Sequence, residues 1–338
     1  MINALLKIPS IKLANIPTPL EEAQRLGDKI GLSKLFIKRD DLTGLAGGGN
    51  KARKLEYDFA RIIKGGYDVI ITAGGIQSNH ARMTAAAAQK LGLDVKLVLG
   101  GPDFEITKGN LLLDVLFGAE IRYLVDDDDN KSLTSAMEKW ADELLKKGYK
   151  PYIIPIGGST GLGALGYVKA MHEIAGQFGS GKTQIILGVG SCGTFAGTIL
   201  GSTIFLPESK VIGVSVSRTS AEIDHRTREI IQESAQILNY KVDVDKLSIE
   251  SYDSYFSEYG VITAECEQAI FDCASLEGIL LDPIYTGKVM AGLIQLIERK
   301  IVNKDIPVIF IHTGGMPILF SFESELGKHL KCTKIKNI

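Results

Sequence analysis

The feature that most constrains this chain is a glycine-rich turn that runs directly into a basic helix start, GGGNKARKLE at residues 47–56. Consecutive glycines let the backbone turn freely and approach a ligand closely. Asn50 is a good N-cap residue, and apolar residues at three- and four-residue spacing predict a helix over residues 52–63. The stretch therefore predicts a loop that brings the first turn of a helix against a ligand.

The charge of this helix start is unusual. Lys51, Arg53 and Lys54 lie in the first turn, where the helix dipole disfavours cations. A lysine held there beside other cations is expected to have a depressed pKa and to be a better amine nucleophile. One interpretation is a solvated basic face balanced by Asp40 and Asp41. The other is a lysine that forms a Schiff base, which requires a phosphate site and a partner for a pyridine ring elsewhere.

Composition excludes several classes of protein. The chain has 338 residues, 45 % of them hydrophobic and 23 % charged, and its formal net charge is −2. This balance favours neither nucleic acid nor an anionic membrane as a partner, and no apolar stretch is long enough to span a bilayer. The four cysteines lack the spacing of a metal site or a disulfide framework, so we expect no bound metal and a reducing, cytoplasmic location.

Apolar strands alternate with helical patterns along most of the chain. Strands are predicted at residues 35–37, 67–72, 95–99, 120–125, 152–154, 183–187, 210–216 and 307–311. A helix is predicted at residues 21–30, and another at 133–147 after an acidic loop at 126–129. Strands separated by helices of this length imply crossover connections and parallel sheets. A glycine-rich segment at residues 157–166 divides the pattern, which predicts an α/β fold with two lobes.

In open parallel sheets, ligands bind beyond the carboxyl ends of the strands, and four turns lie there. The glycine turn before Lys51 is the first. The second, AGGIQSNH at residues 73–80, places Ser78, Asn79 and His80 at a helix start, where an anion such as a substrate carboxylate is favoured. The alternative is an ordinary N-cap with incidental polar neighbours.

The third turn, GVGSCGT at residues 188–194, follows a strand and satisfies G-x-G-x-x-G. A dinucleotide site would need a carboxylate at the end of the next strand to bind the ribose 2′-hydroxyl, but Arg218 lies there. Arg218 could instead bind a 2′-phosphate, so NADP is the dinucleotide that remains possible. The same geometry also suits a cup for one phosphate, formed by the peptide N–H groups of Cys192, Gly193 and Thr194. A nucleophilic role for the Cys192 thiol is disfavoured because no base is nearby in the sequence.

The fourth turn, HTGG at residues 312–315, offers the Thr313 hydroxyl to a ring nitrogen; the alternative is a simple glycine turn closing a sheet. His312 is expected to be packed or capping. Tyr285, in LDPIYTGK at residues 281–288, is either a buried aromatic or a proton donor beside a carbanion.

Together these motifs resemble one enzyme family. The chain is similar to the family of D-cysteine desulfhydrases and 1-aminocyclopropane-1-carboxylate deaminases, which use pyridoxal 5′-phosphate. The motifs that carry the resemblance are PTPL (17–20), IKRDD (37–41), GGNK (48–51), QSNH (77–80), LDPIYTGK (281–288) and HTGG (312–315).

The resemblance implies fold type II of pyridoxal phosphate enzymes, similar to tryptophan synthase β. It has two open parallel-sheet domains with the cofactor in the cleft between them, and such enzymes are commonly homodimers. By this resemblance, residues 52–160 form the small domain, and residues 1–51 and 161–338 form the large one.

The resemblance also implies roles for individual residues. Lys51 would bind the cofactor as a Schiff base, and the other cofactor contacts would be Asn79 at the ring hydroxyl, Cys192, Gly193 and Thr194 at the phosphate, and Thr313 at the pyridine nitrogen. The catalytic residues would be Lys51, Ser78, Tyr285 and Tyr259, and the substrate contacts would be Ser78, Asn79, His80 and Thr286. Around Tyr259 the sequence EYGVI departs from the GYGVP that the family often has.

Two positions separate the branches of the family. Where deaminases have glutamate and leucine, this chain has Thr286 and Thr313, as the desulfhydrase branch does. The resemblance thus implies α,β-elimination of D-cysteine to pyruvate, ammonia and hydrogen sulfide. The alternatives are a deaminase of the cyclopropane amino acid, an NADP oxidoreductase and a non-catalytic amino-acid-binding protein.

Overall fold

The computed structural model describes residues 1–102, 107–127, 129–254 and 261–329, with side chains described as far as residue 326. Its strands are β1 (Leu20–Glu22), β2 (Leu35–Lys38), β3 (Val69–Gly75), β4 (Asp94–Gly101), β5 (Glu120–Val125), β6 (Pro151–Ile153), β7 (Gln184–Val189), β8 (Lys210–Ser215), β9 (Glu250–Tyr252) and β10 (Val308–Ile311).

The helices are α1 (Ile2–Leu5), α2 (Gln24–Ile30), α3 (Lys51–Gly65), α4 (Asn79–Lys90), α5 (Gly109–Leu116), α6 (Asn130–Lys146), α7 (Gly161–Phe178), α8 (Gly193–Phe205), α9 (Ser220–Ile237), α10 (Ala264–Glu277), α11 (Thr286–Glu298), α12 (Met316–Leu319) and α13 (Glu323–His329). Within the described ranges, no helix has both the length and the apolar character needed to cross a membrane.

The strands form two sheets. One contains four parallel strands in the order β5-β4-β3-β6. The other has the order β1-β2-β10-β7-β8-β9 and is parallel except for the β1–β2 pair. In this second sheet Leu35 of β2 pairs with Val308 of β10, so strands from near the two ends of the chain are neighbours. The predicted α/β fold with parallel sheets is confirmed.

The central strand β7 shows why its sequence is a continuous apolar run. Ile185, Ile186 and Leu187 are all fully buried because helices cover both faces of the sheet. On one face α7 and α8 approach so closely that a Cβ at Gly197 would lie 2.2 Å from the backbone oxygen of Ala164. This tight helix pair supports the turn after β7, from which α8 begins.

Two predicted element boundaries are wrong. Residues 21 and 22 are predicted to be helical, but they belong to β1 along β2, and the helix begins only at Gln24. The helix expected from residue 133 begins at Asn130, because the Asp129 carboxylate accepts hydrogen bonds from the amides of Lys131 and Ser132. Asp129 is thus an N-cap rather than part of a solvated acidic loop.

Candidate active site

A cavity of about 410 Å³ lies where the carboxyl ends of β3, β7, β8 and β10 converge. Its volume is within the usual range for small-molecule sites. All four turns singled out in the sequence contribute to its wall, together with the loop before α11. The predicted site residues that line it are Lys51, Ser78, Asn79, His80, Cys192, Thr194, Tyr285 and Thr313. Gly193 and Thr286 do not line the cavity, and Tyr259 lies outside the described residues.

Lys51 is the first residue of α3 and reaches into the cavity half-buried. Burial lowers the pKa of its amine to about 8, the direction that the sequence predicts. The physical cause is loss of hydration, which penalises the charged form. A substantial fraction of Lys51 is therefore neutral near pH 8 and can act as a nucleophile or accept a proton.

Arg53, the next cation of this helix start, faces away from the cavity. Its guanidinium is buried and lies 2.8 Å from an Asp40 oxygen and 3.0 Å from a Glu173 oxygen. Burial alone would raise the pKa of Asp40, but the Arg53 charge holds it below its usual value. The interpretation of a solvated basic face is therefore wrong for Arg53, which instead fastens α3 to α7.

Lys54, which the sequence interpretation did not name as a site residue, lies behind the wall of the cavity, next to the lining residue Gly157. Its ammonium is buried and donates hydrogen bonds to the Gly157 backbone oxygen at 2.6 Å and to Ser159 Oγ at 3.2 Å. Burial lowers its pKa well below the usual value, and the charge of Lys51 lowers it further. A Cβ at Gly193 would lie 2.7 Å from the Lys54 nitrogen, so this cation adjoins the start of α8. The available signal was the spacing, since residues three apart share one helix face.

The start of α8 has the properties of an anion site. Cys192 adopts a left-handed conformation (φ 68°) and turns the chain into α8, whose first amides have no partner within the helix. The Thr194 amide belongs to this turn, and Thr194 lines the cavity. The Gly193 amide instead donates to Ser191 O at 3.0 Å and to Ser159 Oγ at 3.3 Å. Burial raises the pKa of the Cys192 thiol, which therefore stays protonated.

Asn50 departs from its predicted role as a helix cap. Its side chain makes no capping hydrogen bond to α3. The Asn50 amide donates instead to Thr194 Oγ1 at 2.8 Å, 144 residues away in the sequence. The residue before Lys51 therefore ties α3 to the start of α8, and both Asn50 and Thr194 line the cavity.

The turn after β3 contributes the first residues of α4. Ser78 is the N-cap of this helix, because its Oγ accepts a hydrogen bond from the Ala81 amide at 3.2 Å, and it also lines the cavity. His80 Nε2 lies 2.9 Å from the Thr72 hydroxyl, which itself donates to a backbone oxygen. Nε2 is therefore the donor of this pair. Burial, together with the charges of Lys51 and Lys54, lowers the pKa of His80 well below its usual value and keeps the ring neutral.

The loop before α11 is organised by the buried Asp282. One carboxylate oxygen accepts the amides of Ile284 and Tyr285, and the other accepts the amide and hydroxyl of Thr286. The Thr286 hydroxyl is thus engaged by Asp282 and is not turned to the cavity, whereas Tyr285 lines it. His312 is buried, with Nε2 2.9 Å from Leu280 O, and packs as expected.

A family model described as pyridoxal-phosphate dependent enzyme matches residues 11–314 of this chain. The chain belongs to this family. The dinucleotide interpretation of the turn at residues 188–194 is therefore wrong. Arg218, which that interpretation assigned to a 2′-phosphate, donates through Nε to Gly190 O at 3.0 Å and holds the turn itself.

The chain is also similar to individual proteins over nearly its whole length. D-cysteine desulfhydrase from Salmonella choleraesuis (strain SC-B67) is 43% identical over 332 residues, which are 95% of this chain and 98% of that protein. The enzyme of the same name from Salmonella paratyphi C (strain RKS4594) is 42% identical over the same length. A solved structure described as an ACC deaminase homologue has a TM-score of 0.90 and 41% identity, covering 97% of this chain and 98% of the other.

The residues at the cavity fit pyridoxal phosphate. A lysine amine, a helix start with unpaired amides and a hydroxyl are the three partners that its aldehyde, phosphate and ring nitrogen require. Lys51, Thr194 and Thr313 supply these groups within one cavity. Nothing in the described part of the chain groups three or more His, Cys, Asp or Glu side chains as metal ligands.

Proposed function

We propose that this chain is a D-cysteine desulfhydrase, a carbon–sulfur lyase that converts D-cysteine to pyruvate, ammonia and hydrogen sulfide. The observation that carries the proposal is the 43% identity to an enzyme of that name over 98% of its length. The cavity supports it, because the half-buried Lys51 amine and Thr313 line the same space of small-molecule size.

Bound pyridoxal phosphate supplies an electron sink that stabilises negative charge on the α-carbon of an amino acid. We propose that Lys51 holds the cofactor and that its Nζ, once released, accepts the α-proton. Its pKa of about 8 keeps the amine partly neutral at physiological pH, which this proton transfer requires.

The remaining cofactor contacts are proposed on the basis of position. The Asn79 amide would hold the ring oxygen, and the Thr313 hydroxyl would donate to an unprotonated pyridine nitrogen. The amides of Cys192 and Thr194 would bind the phosphate, with the Lys54 charge behind them. The Gly193 amide already donates to other groups, so we propose no hydrogen bond from it to the phosphate. Its proposed contribution is the absence of a Cβ, which leaves room for the Lys54 amine and the Ser159 hydroxyl.

The start of α4 is the proposed site of the substrate carboxylate. Ser78, Asn79 and His80 lie in its first turn, where the helix dipole and free amides favour an anion. Tyr285 borders the same space and is proposed to lie beside the substrate. Thr286 would act indirectly, by holding the Asp282 loop that carries Tyr285. Tyr259 keeps the role implied by the family resemblance.

The decisive experiment measures sulfide release from D- and L-cysteine side by side, with purified wild type and Lys51→Ala. We expect the wild type to release sulfide from D-cysteine and Lys51→Ala to release none. Borohydride reduction of the wild type should attach the cofactor to Lys51, which mass spectrometry can detect. Pyridoxal phosphate bound elsewhere, or sulfide release from the variant at the wild-type rate, would contradict the proposal. Binding of D-cysteine without product would identify a non-catalytic binding protein instead.

A second candidate is 1-aminocyclopropane-1-carboxylate deaminase. It is favoured by the 41% identity to the solved structure described as an ACC deaminase homologue. The distinguishing product is 2-oxobutyrate from the cyclopropane amino acid. If the protein formed 2-oxobutyrate faster than it released sulfide from D-cysteine, the deaminase would replace the desulfhydrase as the proposed function.

We further propose that the chain forms a homodimer. Helix α5 contacts α12, and this region exposes large apolar side chains that a partner surface could cover. They are Leu112, Val115, Leu116, Met316 and Phe320. Sedimentation analysis of wild type and Leu116→Glu would test the proposal, since the charge should shift a dimer towards monomer.

Two organisational proposals remain. We propose that residues 52–160 form the small domain and residues 1–51 with 161–338 the large one, because β3 to β6 make a sheet of their own within residues 69–153.

We also propose a cytoplasmic location, supported by the free thiols of Cys192, Cys266 and Cys273. Limited proteolysis would test the domain bounds, and cell fractionation would test the location.

A further inference from the structure

We propose that Asn110 is a positioning residue that fixes the side-chain amide of Asn79 with its NH2 group towards the cavity. Asn110 is the second residue of α5, is fully buried and does not line the cavity. The inference rests on the proposed contact between Asn79 and the cofactor's ring oxygen, and it extends that contact to a residue on another helix.

The orientation of the Asn110 amide is determined from both sides. Its Nδ2 lies 2.7 Å from the backbone oxygen of Gln77, a group that can only accept a hydrogen bond. Its Oδ1 lies 3.2 Å from Arg82 Nη1, a group that can only donate. Exchanging the oxygen and nitrogen of Asn110 would therefore create two repulsive contacts in a buried site.

This fixed amide determines the orientation of its neighbour. The Asn110 Nδ2 also lies 3.0 Å from Asn79 Oδ1, which must then be an acceptor. Because its oxygen is engaged by the buried Asn110, the NH2 group of Asn79 remains to face the cavity that Asn79 borders. The ring oxygen of pyridoxal phosphate carries negative charge, so a donor at this point is attractive and the amide oxygen would be repulsive.

The same hydrogen bonds join three segments of the site. The backbone N–H of Asn110 donates to Gln77 Oε1 at 2.8 Å, which holds α5 against the turn after β3. Arg82, which orients Asn110, donates through Nη2 to Gly48 O at 2.9 Å in the glycine turn before Lys51. Asn110 is thus linked both to the residue that would bind the ring oxygen and to the turn that presents the lysine.

Asn110→Asp tests the inference with a side chain of the same shape. A carboxylate oxygen then replaces the NH2 group, so Asn79 must turn its own NH2 towards it and present its oxygen to the cavity. We expect the dissociation constant of pyridoxal phosphate for the apoprotein to rise roughly tenfold to a hundredfold, the effect of losing a hydrogen bond to a charged group.

A second readout is the visible absorption of the bound cofactor as a function of pH. A hydrogen bond donated to the ring oxygen stabilises its negative charge and so lowers its affinity for the proton that it shares with the lysine nitrogen. Losing the donor should therefore raise the pKa of the absorption change by about one unit in Asn110→Asp. Asn79→Ala should shift it in the same direction.

The double-mutant cycle decides between positioning and general support. If Asn110 acts through Asn79, Asn110→Asp has no further effect on either readout in the Asn79→Ala background. Ser321→Ala is the matched control, because it removes a 3.0 Å hydrogen bond to Gln77 Oε1 in the same network but leaves Asn110 in place; it should change neither readout.

An undiminished effect of Asn110→Asp in the Asn79→Ala background overturns the proposal, and so does an absorption pKa equal to that of the wild type. If Asn110→Asp does not fold, Asn110→Ala enters the same cycle with the same expected and contradicting results. Both readouts use the cofactor without substrate. A wild type that binds the cofactor but releases no sulfide therefore contradicts the proposed function and not this inference.

Discussion

Replacing Lys51 by methionine is expected to stabilise the apoprotein while abolishing its activity. Burial lowers the pKa of this amine from 10.5 to about 8, a difference of about 2.5 units. At about 1.4 kcal/mol per unit, this corresponds to at most ~3.5 kcal/mol of folding free energy lost below pH 8. Lys51 is only half-buried and water reaches it through the cavity, so we expect about half of that value.

The dependence on pH follows from the two protonation states. Below pH 8 the amine is charged in both the folded and the unfolded protein, and the folded state carries the full desolvation cost. Between about 8 and 10.5 only the unfolded protein binds the proton, so the stability of the wild type rises with pH. Methionine does not titrate. The gain from Lys51→Met should therefore shrink as the pH rises from about 8 towards 10.5.

The assay is urea unfolding of both apoproteins between about pH 6 and 9. Lys64→Met is the matched control, because Lys64 is exposed on the same helix and its loss should change stability by no more than about 0.5 kcal/mol at any pH. A gain from Lys51→Met that is the same at every pH would refute the reasoning, since it would reflect only the apolar methionine. A loss of stability near neutral pH would refute it as well.

Three further predictions concern the phosphate site, helix packing and the choice of reaction. Lys54→Met should weaken binding of pyridoxal phosphate to the apoprotein about tenfold, and an unchanged affinity would place its charge outside the phosphate site. Gly197→Ala should lower the free energy of unfolding by about 1–3 kcal/mol because its Cβ would overlap a carbonyl of α7, whereas Gly176→Ala, with open space around it, should raise it by about 0.5–1 kcal/mol. If the two substitutions changed the free energy of unfolding in urea by the same amount, the close packing of α8 on α7 at Gly197 would be contradicted. Thr286→Glu combined with Thr313→Leu should lower sulfide release and raise 2-oxobutyrate formation, and full desulfhydrase activity without any gain in the second assay would contradict the branch assignment.

The structure adds a physical cost to the last of these substitutions. Thr286 is buried and its hydroxyl lies 2.8 Å from an Asp282 oxygen, so a glutamate there would place a second carboxylate beside the first. The single Thr286→Glu change should therefore lower thermal stability as well as sulfide release. A melting temperature equal to that of the wild type would contradict this contact.

Much of the fold could be predicted because its signals are local. The strands around the cavity are short apolar runs, and the helices between them have their own periodicity, so their alternation determines a parallel sheet without knowledge of distant contacts. The errors at β1 and at the start of α6 arose where a short polar segment could form either a strand, a cap or a helix turn. There, pairing with β2 and the capping by Asp129 decided the outcome.

The candidate site was predictable to the extent that it lies at the ends of strands. Lys51, Ser78, Cys192 and Thr313 each follow a strand or a glycine turn, and parallel strands bring their carboxyl ends to one edge. Lys54 was missed because a second lysine one turn along a helix is normally a solvated residue. Only its burial against Gly157 and Ser159 places it next to the cavity.

The sequence by itself determined the alternation of strands and helices, the turns that border the cavity and the lysine that lines it. These depend on residues close together in the chain. The tertiary structure alone decided which partner each of these polar side chains takes: Asn50 joins Thr194, Arg53 joins Glu173, and Asn110 orients Asn79. Such choices depend on which groups are left without water once the helices pack. That competition is settled across tens or hundreds of residues, where no local pattern records it.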